Sequence, residues 1–237
     1  MTHDSRYASR QCKSQKVLAI LQDFAGDEIA HLCALDVGCA SGGITFNLAP
    51  FVDRMVGIDP DQPAVKQAFR SNEFPNLKFT IASGSQIPFS SESFDLLICA
   101  QVYEHVDNQA GLASEVWRVL RPGGVCFFSG PNRLAVIEEH YWLPFLSWLP
   151  RSLANVYMRI FHRGANYDAY PLTYWQIRGL WRSFTIIDYT IQLLRYPENF
   201  ASQEKLRRYG WIRKLPSGIL RVLTPLFPNY NWILVKK

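Results

Sequence analysis

The chain has no apolar run approaching the roughly 20 residues that span a bilayer, and no basic start followed by the apolar core of an export signal. A spanning or secreted protein is not expected. It also lacks cysteines at metal spacing, because the five, at positions 12, 33, 39, 99 and 126, are scattered along the chain. They read as reduced thiols, mostly on buried strands. No G-x-G-x-x-G occurs, which opposes a nicotinamide oxidoreductase. Acids are scarce in one half: residues 131–237 hold 15 Lys/Arg against 6 Asp/Glu, whereas residues 1–130 hold 10 against 14. Even so, no zinc site or dense basic stripe with stacking aromatics accompanies the positive half, so nucleic acid is not the expected partner.

What the chain does have is Leu35-Asp36-Val37-Gly38-Cys39-Ala40-Ser41-Gly42-Gly43, followed 23 residues after Asp36 by the acid of Gly57-Ile58-Asp59-Pro60. The run Leu32 to Val37 reads as a buried parallel strand, and the glycine turn lets the backbone pass close under a ligand. A second strand, Arg54 to Ile58, delivers Asp59 where it can accept from two vicinal ribose hydroxyls. Ala40 stands where a dinucleotide loop wants its middle glycine, and the Asp36 carboxylate would repel a pyrophosphate. It would suit a cationic, amino-bearing ligand instead, which favours S-adenosylmethionine over NAD.

Further along come Ile87-Pro88-Phe89, Ser93-Phe94-Asp95-Leu96-Leu97-Ile98-Cys99-Ala100, Glu104-His105-Val106 and Arg118-Val119-Leu120-Arg121-Pro122-Gly123-Gly124-Val125. In this order the motifs resemble the class I S-adenosylmethionine-dependent methyltransferases, in particular the type 11 methyltransferase family, over roughly residues 32–130. The resemblance implies a doubly wound α/β, Rossmann-like sheet of seven strands, mostly parallel with an antiparallel last strand, plus a helical lid. It implies that Asp36, Gly38, Cys39 and Gly42 serve the methionine part of the cofactor and Asp59 the ribose. Gln101 falls where the family brings a group near the sulfonium. The family's usual acid for the adenine amino group is replaced here by Ser83 and Gly84, which can accept hydrogen bonds but carry no charge.

Helices over Gly43 to Pro50, Val65 to Arg70 and Gln109 to Leu120 alternate with the strands, which independently argues for a parallel sheet with ligands at the strand C-termini. A helix over about Ser9 to Phe24 is expected to pack on the sheet or cap the cofactor. Later strands are expected over Gly124 to Ser129, Phe184 to Leu194 and Asn231 to Lys236. The chain is thus read as a single domain over 1–237, with a core over 1–130, substrate lids over 131–182 and 195–229, and closing strands over 183–194 and 230–237.

The basic half carries Tyr141 to Pro150, leading into a helix with Leu153, Val156, Tyr157, Ile160 and Phe161 on one side, and a second Trp-containing segment over Lys205 to Pro228. Trp and Leu mixed with Lys and Arg fit a substrate lid, or helices lying in a membrane interface. A cytoplasmic protein, with peripheral contact at the inner membrane face, is expected. Methyl transfer to a hydroxyl needs a proton acceptor. Of His3, His31, His105, His140 and His162, the candidates are His105, just past the fourth strand, and His140, within Glu138-Glu139-His140 beyond the fifth.

Tyr141, Trp142, Tyr167, Tyr170, Tyr174 and Trp175 would shape the acceptor pocket. Glu104, His105 and Glu138 could meet around Mg²⁺, but nothing in their spacing demands it and no metal is expected. The insertion and the closing segment look like methyltransferases of bacterial surface-glycan and lipid-linked biosynthesis, which suggests a small-molecule, sugar or lipid-linked acceptor. A non-catalytic cofactor-binding subunit of the same fold, and a nucleic-acid methyltransferase, are the competing readings.

Overall fold

A computed structural model describes residues 3–206 and 210–237, so part of the expected Lys205 to Pro228 segment falls outside the described residues, as does the side chain of His3. Seven strands, β1 (Cys33–Val37), β2 (Arg54–Asp59), β3 (Leu77–Ile81), β4 (Phe94–Ala100), β5 (Leu120–Pro131), β6 (Phe184–Asp188) and β7 (Asn229–Lys236), form one sheet. Their order is β3-β2-β1-β4-β5-β7-β6. The first five run parallel, and β7 runs antiparallel to both β5 and β6. The expected fold class is what the chain adopts.

All five residues of β1 are buried, as in a central parallel strand covered on both faces. Its order reverses against β4, and ligands in such sheets bind beyond the strand C-termini at that point. On one face lie α1 (His3–Ala25), through Val17, Ile20 and Leu21, and α2 (Thr45–Leu48). The other face holds α4 (Gln109–Val119) and α6 (Tyr174–Leu180), through Leu112, Val116 and Ile177. Helix α3 (Gln62–Arg70) starts where the Asp61 side chain accepts from Ala64 N–H at 3.2 Å. The Asn108 side chain does the same for α4, accepting from Gly111 N–H at 2.8 Å.

One sequence expectation needs correction. The strand placed over Phe184 to Leu194 ends at Asp188, where the Asp188 carboxylate accepts from Thr190 N–H at 2.8 Å and opens α7 (Thr190–Arg195). Alternation of apolar residues across Ile191, Leu193 and Leu194 does not separate a short helix from a strand end. The second Trp-containing segment is built of short pieces, in keeping with its Pro216 and Gly218. It comprises α8 (Gln203–Leu206), a 3₁₀ turn at Ile212–Lys214 and α9 (Ser217–Leu223), with Pro216 as the N-cap of the last. The helix after Pro150 does form, as α5 (Arg151–Ile160).

The Ile87-Pro88-Phe89 segment turns out to be a structural tie. Arg118 donates to the carbonyls of Phe89 and Ile87 at 2.7 and 2.9 Å, while Glu115 accepts from Ile87 N–H at 2.7 Å. Loop and α4 are thereby locked together beside the site.

Candidate active site

The glycine turn leaves β1 with Gly38 and Cys39 N–H both donating to the Ile58 carbonyl, at 2.8 and 3.0 Å, which clamps it to the end of β2. Gly38 has φ +77°, and a Cβ there would stand 2.4 Å from a Val102 methyl. Only glycine fits. Ala40 takes the left-handed conformation, at φ 47°, and its N–H donates to Asp59 at 2.8 Å. The other Asp59 oxygen accepts from Asp61 N–H at 2.8 Å. Asp59 thus shapes the turn and stays partly exposed at the strand end.

Asp36 is 2% exposed and accepts from the Thr45 hydroxyl at 2.6 Å. Burial pushes its carboxyl up to about 7, the Thr45 bond pulls it down, and the neighbouring Asp59 charge adds to the rise. Gly42 is buried against the Phe46 ring, so its part is to let that ring close in. Ser83 pairs with Ser85, their hydroxyls 3.0 Å apart, and Gly84 packs so tightly on Val37 and Leu112 that a Cβ would meet them at 2.8 and 2.9 Å. Ala82 N–H donates to the Asp59 carbonyl, which sets this segment beside the ribose-type acid.

A cleft opens beyond the strand ends, lined by Gly38, Cys39, Ala40 and Gln101 from the sequence-expected set and its turn. It is also lined by residues that no local motif marks: Lys13 and Lys16 of α1, Ser129, Glu139 and Asn229. Gln101, at φ 61°, lies 3.5 Å from the Ser129 hydroxyl, which donates to Asn229 at 3.0 Å, and Asn229 donates to Glu139 at 3.0 Å. This polar row crosses from β4 to β5 to β7 and out to the insertion. The antiparallel β7 makes it possible by bringing its N-terminal residue to the end where the parallel strands finish.

His105 and His140 meet, with ring centroids 5.0 Å apart, around the fully buried Glu104. Nε2 of His140 lies 3.4 Å and Nε2 of His105 4.0 Å from the same Glu104 oxygen. Neither Glu104 oxygen makes a well-formed hydrogen bond, and the His140 and His105 rings stand against it. Burial lowers the His140 pKa, but the Glu104, Glu138 and Glu139 carboxylates outweigh that and raise it above the usual histidine value.

The carboxylate orienting His140 is therefore Glu104, 36 positions away, rather than its chain neighbour. Glu138 instead accepts from His140 and Tyr141 N–H at 2.9 and 2.6 Å and fixes the turn. The triad Glu104, His105 and His140 presents one oxygen and two nitrogens within 4.8 Å of one another, a donor set that could hold a divalent cation. The trio weighed from the sequence, with no metal expected, had Glu138 where the structure has His140.

The expected aromatic pocket is dispersed. Tyr174 packs in the core against Tyr230 and Trp232, Trp175 is exposed, and Tyr167 is buried against Tyr141. Tyr141 donates to Asp168 at 2.6 Å, and Tyr170 N–H bonds the Glu104 carbonyl, strapping the insertion over the cluster. His31 and His162 are exposed and take no part in it.

The strand order, the glycine turn and the acid at the end of β2 define a class I methyltransferase fold. More narrowly, residues 35–128 match the model of the type 11 methyltransferase family, described as "Methyltransferase domain". A probable S-adenosylmethionine-dependent methyltransferase of Mycolicibacterium smegmatis is 36% identical over 110 residues, covering 45% of this chain and 42% of the relative. The demethylmenaquinone methyltransferase of Tropheryma whipplei is 30% identical over 165 residues, covering 62% of this chain and 65% of the relative. The chain thus spans about half the length of the curated relatives it matches. Among solved structures, the [4+2]-cyclase SpnF superposes with TM-score 0.59 at 14% identity, covering 93% of this chain and 80% of that one. That likeness concerns the fold alone, and a cyclase on it shows that fold does not fix reaction.

Proposed function

We propose that the protein is an S-adenosylmethionine-dependent methyltransferase that moves a methyl group to a hydroxyl of a small-molecule, sugar or lipid-linked acceptor, with a membrane face as its working surface. The observation that carries this reading is the clamped turn in which Asp59 holds Ala40 N–H while Gly38, Cys39 and Gln101 line the cleft. Gly38, Cys39 and Gly42 form the methionine end and Asp59 takes the ribose. Ser83 and Gly84 border the adenine, and Asp36 answers the donor's amino group from beneath the turn.

Methyl transfer is an in-line displacement, so most of the work is alignment and exclusion of water. The acceptor's proton goes to His140, which Glu104 orients, with His105 beside it. Isothermal titration with S-adenosylhomocysteine tests the donor part: binding is expected, and it should be lost in Asp59→Ala. No binding, or binding indifferent to that substitution, overturns the reading and favours a partner subunit that has kept the fold.

A second reading of the proton step has its own observation. The convergence of Glu104, His105 and His140 would let a divalent cation bind the acceptor oxygen and ease loss of its proton. Activity abolished by a chelator and restored by a divalent metal selects the cation. Activity indifferent to both selects His140 as the base.

A further inference from the structure

Helix α5 has two apolar sides. Ala154 and Met158 point inward onto Leu143, Leu146, Tyr167 and Ala169. Leu153, Val156 and Ile160, spaced to share the other side, remain 55%, 44% and 65% exposed, and Phe161 at the C-cap is 53% exposed. Tyr157 stacks edge-on to Phe161 with centroids 4.9 Å apart, continuing the same stripe. Ahead of the helix, Phe145 and Trp148 form a second exposed aromatic pair, 5.1 Å between centroids. A soluble helix normally turns such a stripe into the core, and contiguous apolar surface of this kind marks a contact site.

The charges around it say what covers it. From His140 through Tyr167 there is no acid, whereas Arg151, Arg159 and Arg163 are all exposed. The Arg151 guanidinium lies over the Tyr170 ring, 4.2 Å from its centroid, Arg159 stands exposed in the last turn of α5 and Arg163 is exposed three residues past its end. A second copy of the chain is a poor occupant, because a two-fold contact sets each surface against itself and would oppose arginines with no acid to answer them. An anionic lipid surface answers both features: acyl chains take the Leu, Val, Ile and Phe side chains, and phosphates take the guanidinium groups. Exposed Trp148, whose indole N–H donates to the Ala135 carbonyl at 3.1 Å, suits the headgroup level between the two.

We infer that α5, with the Phe145 and Trp148 pair leading into it, is a docking surface for anionic membranes. It lies in the same insertion as His140 and Glu139, so docking would hold the segment that carries them at the bilayer. The inference rests on the proposed methyl transfer only for its purpose, since lipid binding is measured without turnover. Of the two basic, Trp-containing segments, it places the contact on the first.

The test is co-sedimentation of the full chain with vesicles of phosphatidylcholine alone, or phosphatidylcholine mixed with phosphatidylglycerol. Strong pelleting is expected only with the anionic vesicles, falling as salt rises. Val156→Asp with Ile160→Asp should cut the partition coefficient by roughly tenfold or more, since each change removes an apolar side chain from the interface and repels phosphate. Both sites face solvent, and unchanged titration with S-adenosylhomocysteine shows that the variant is folded. Equal pelleting of variant and parent, equal pelleting on neutral vesicles, or self-association without lipid overturns the inference. Absence of lipid binding by a parent that binds S-adenosylhomocysteine ends the surface inference and leaves the donor reading standing.

Discussion

The donor half and the acceptor half are built on different principles. At the donor turn every critical contact is local or one strand away: Gly38 and Cys39 reach the Ile58 carbonyl, and Ala40 reaches Asp59. The acceptor side is assembled from distant pieces, with Glu104 from the loop after β4, His140 from the insertion and Asn229 from the start of β7. A backbone loop that holds one cofactor can be written in a dozen residues. A pocket for a variable acceptor is written across the whole chain, and His140 and Asn229 lie outside the residues 35–128 that match the family model.

If the halves are functionally separable, damage to one should spare the other. The largest effect is expected at the cluster: Glu104→Gln and His140→Ala should each lower kcat by about 10²- to 10⁴-fold, the usual scale for lost proton transfer. Affinity for S-adenosylhomocysteine should stay unchanged by titration. A parallel loss of affinity would break the division.

Gly38→Val is the converse test. Its left-handed φ and the clash with Val102 should weaken S-adenosylhomocysteine binding by roughly 100-fold, in line with a few kcal/mol of backbone strain. The helical content of the acceptor half should survive by circular dichroism.

Asp36 gives a pH test confined to the donor half. Its folded pKa of about 7 lies above the unfolded value of 3.8, so the folded protein holds a proton that the unfolded chain has lost. This contribution to stability is full below pH 3.8 and is lost as pH rises toward about 7. Denaturant unfolding should show that decline in the parent and not in Asp36→Asn. Because the donor's amino group favours the ionised carboxylate, S-adenosylhomocysteine should bind more tightly as pH rises to 7, by at most about tenfold per pH unit. Calorimetry in two buffers of different ionisation enthalpy would show the proton released on binding.

The smallest effect is expected at Asn132, which is buried and donates to the Pro225 and Phe227 carbonyls and to the Tyr230 hydroxyl, pinning the return to β7. Asn132→Ala should cost about 2 kcal/mol and several degrees in Tm. Donor affinity in the folded variant should not change.

This same contrast explains what could be read from the sequence. The parallel strands β1, β2, β4 and β5, the turn and Asp59 were legible because short buried runs and glycines carry their geometry locally, whereas the antiparallel last strand came only with the family resemblance and β3 was not singled out. Gly42 was legible as part of the glycine turn, but its partner Phe46 was not, and Gly84 was read only as a backbone acceptor rather than as the glycine its packing on Val37 and Leu112 requires. His140 was found as a candidate, but its partner Glu104 was not, because 36 positions of chain close only in three dimensions. Lys13, Lys16, Ser129 and Asn229 had no signal beyond polarity. The strand run past Asp188 failed for a different reason, since Ile191, Leu193 and Leu194 satisfy a short helix as well as a strand.

The position of β7 has a consequence for how the molecule comes into being. Among the described residues β6 pairs with β7 alone, and β7 separates it from β5. During synthesis Phe184–Asp188 must therefore wait as an open edge until Asn229–Lys236 has left the ribosome, and only then does Asn229 complete the polar row. The donor turn is held by contacts to β2, whereas the polar row on the acceptor side is complete only once β7 has joined the sheet, so late pairing of this one strand decides when an acceptor can be held.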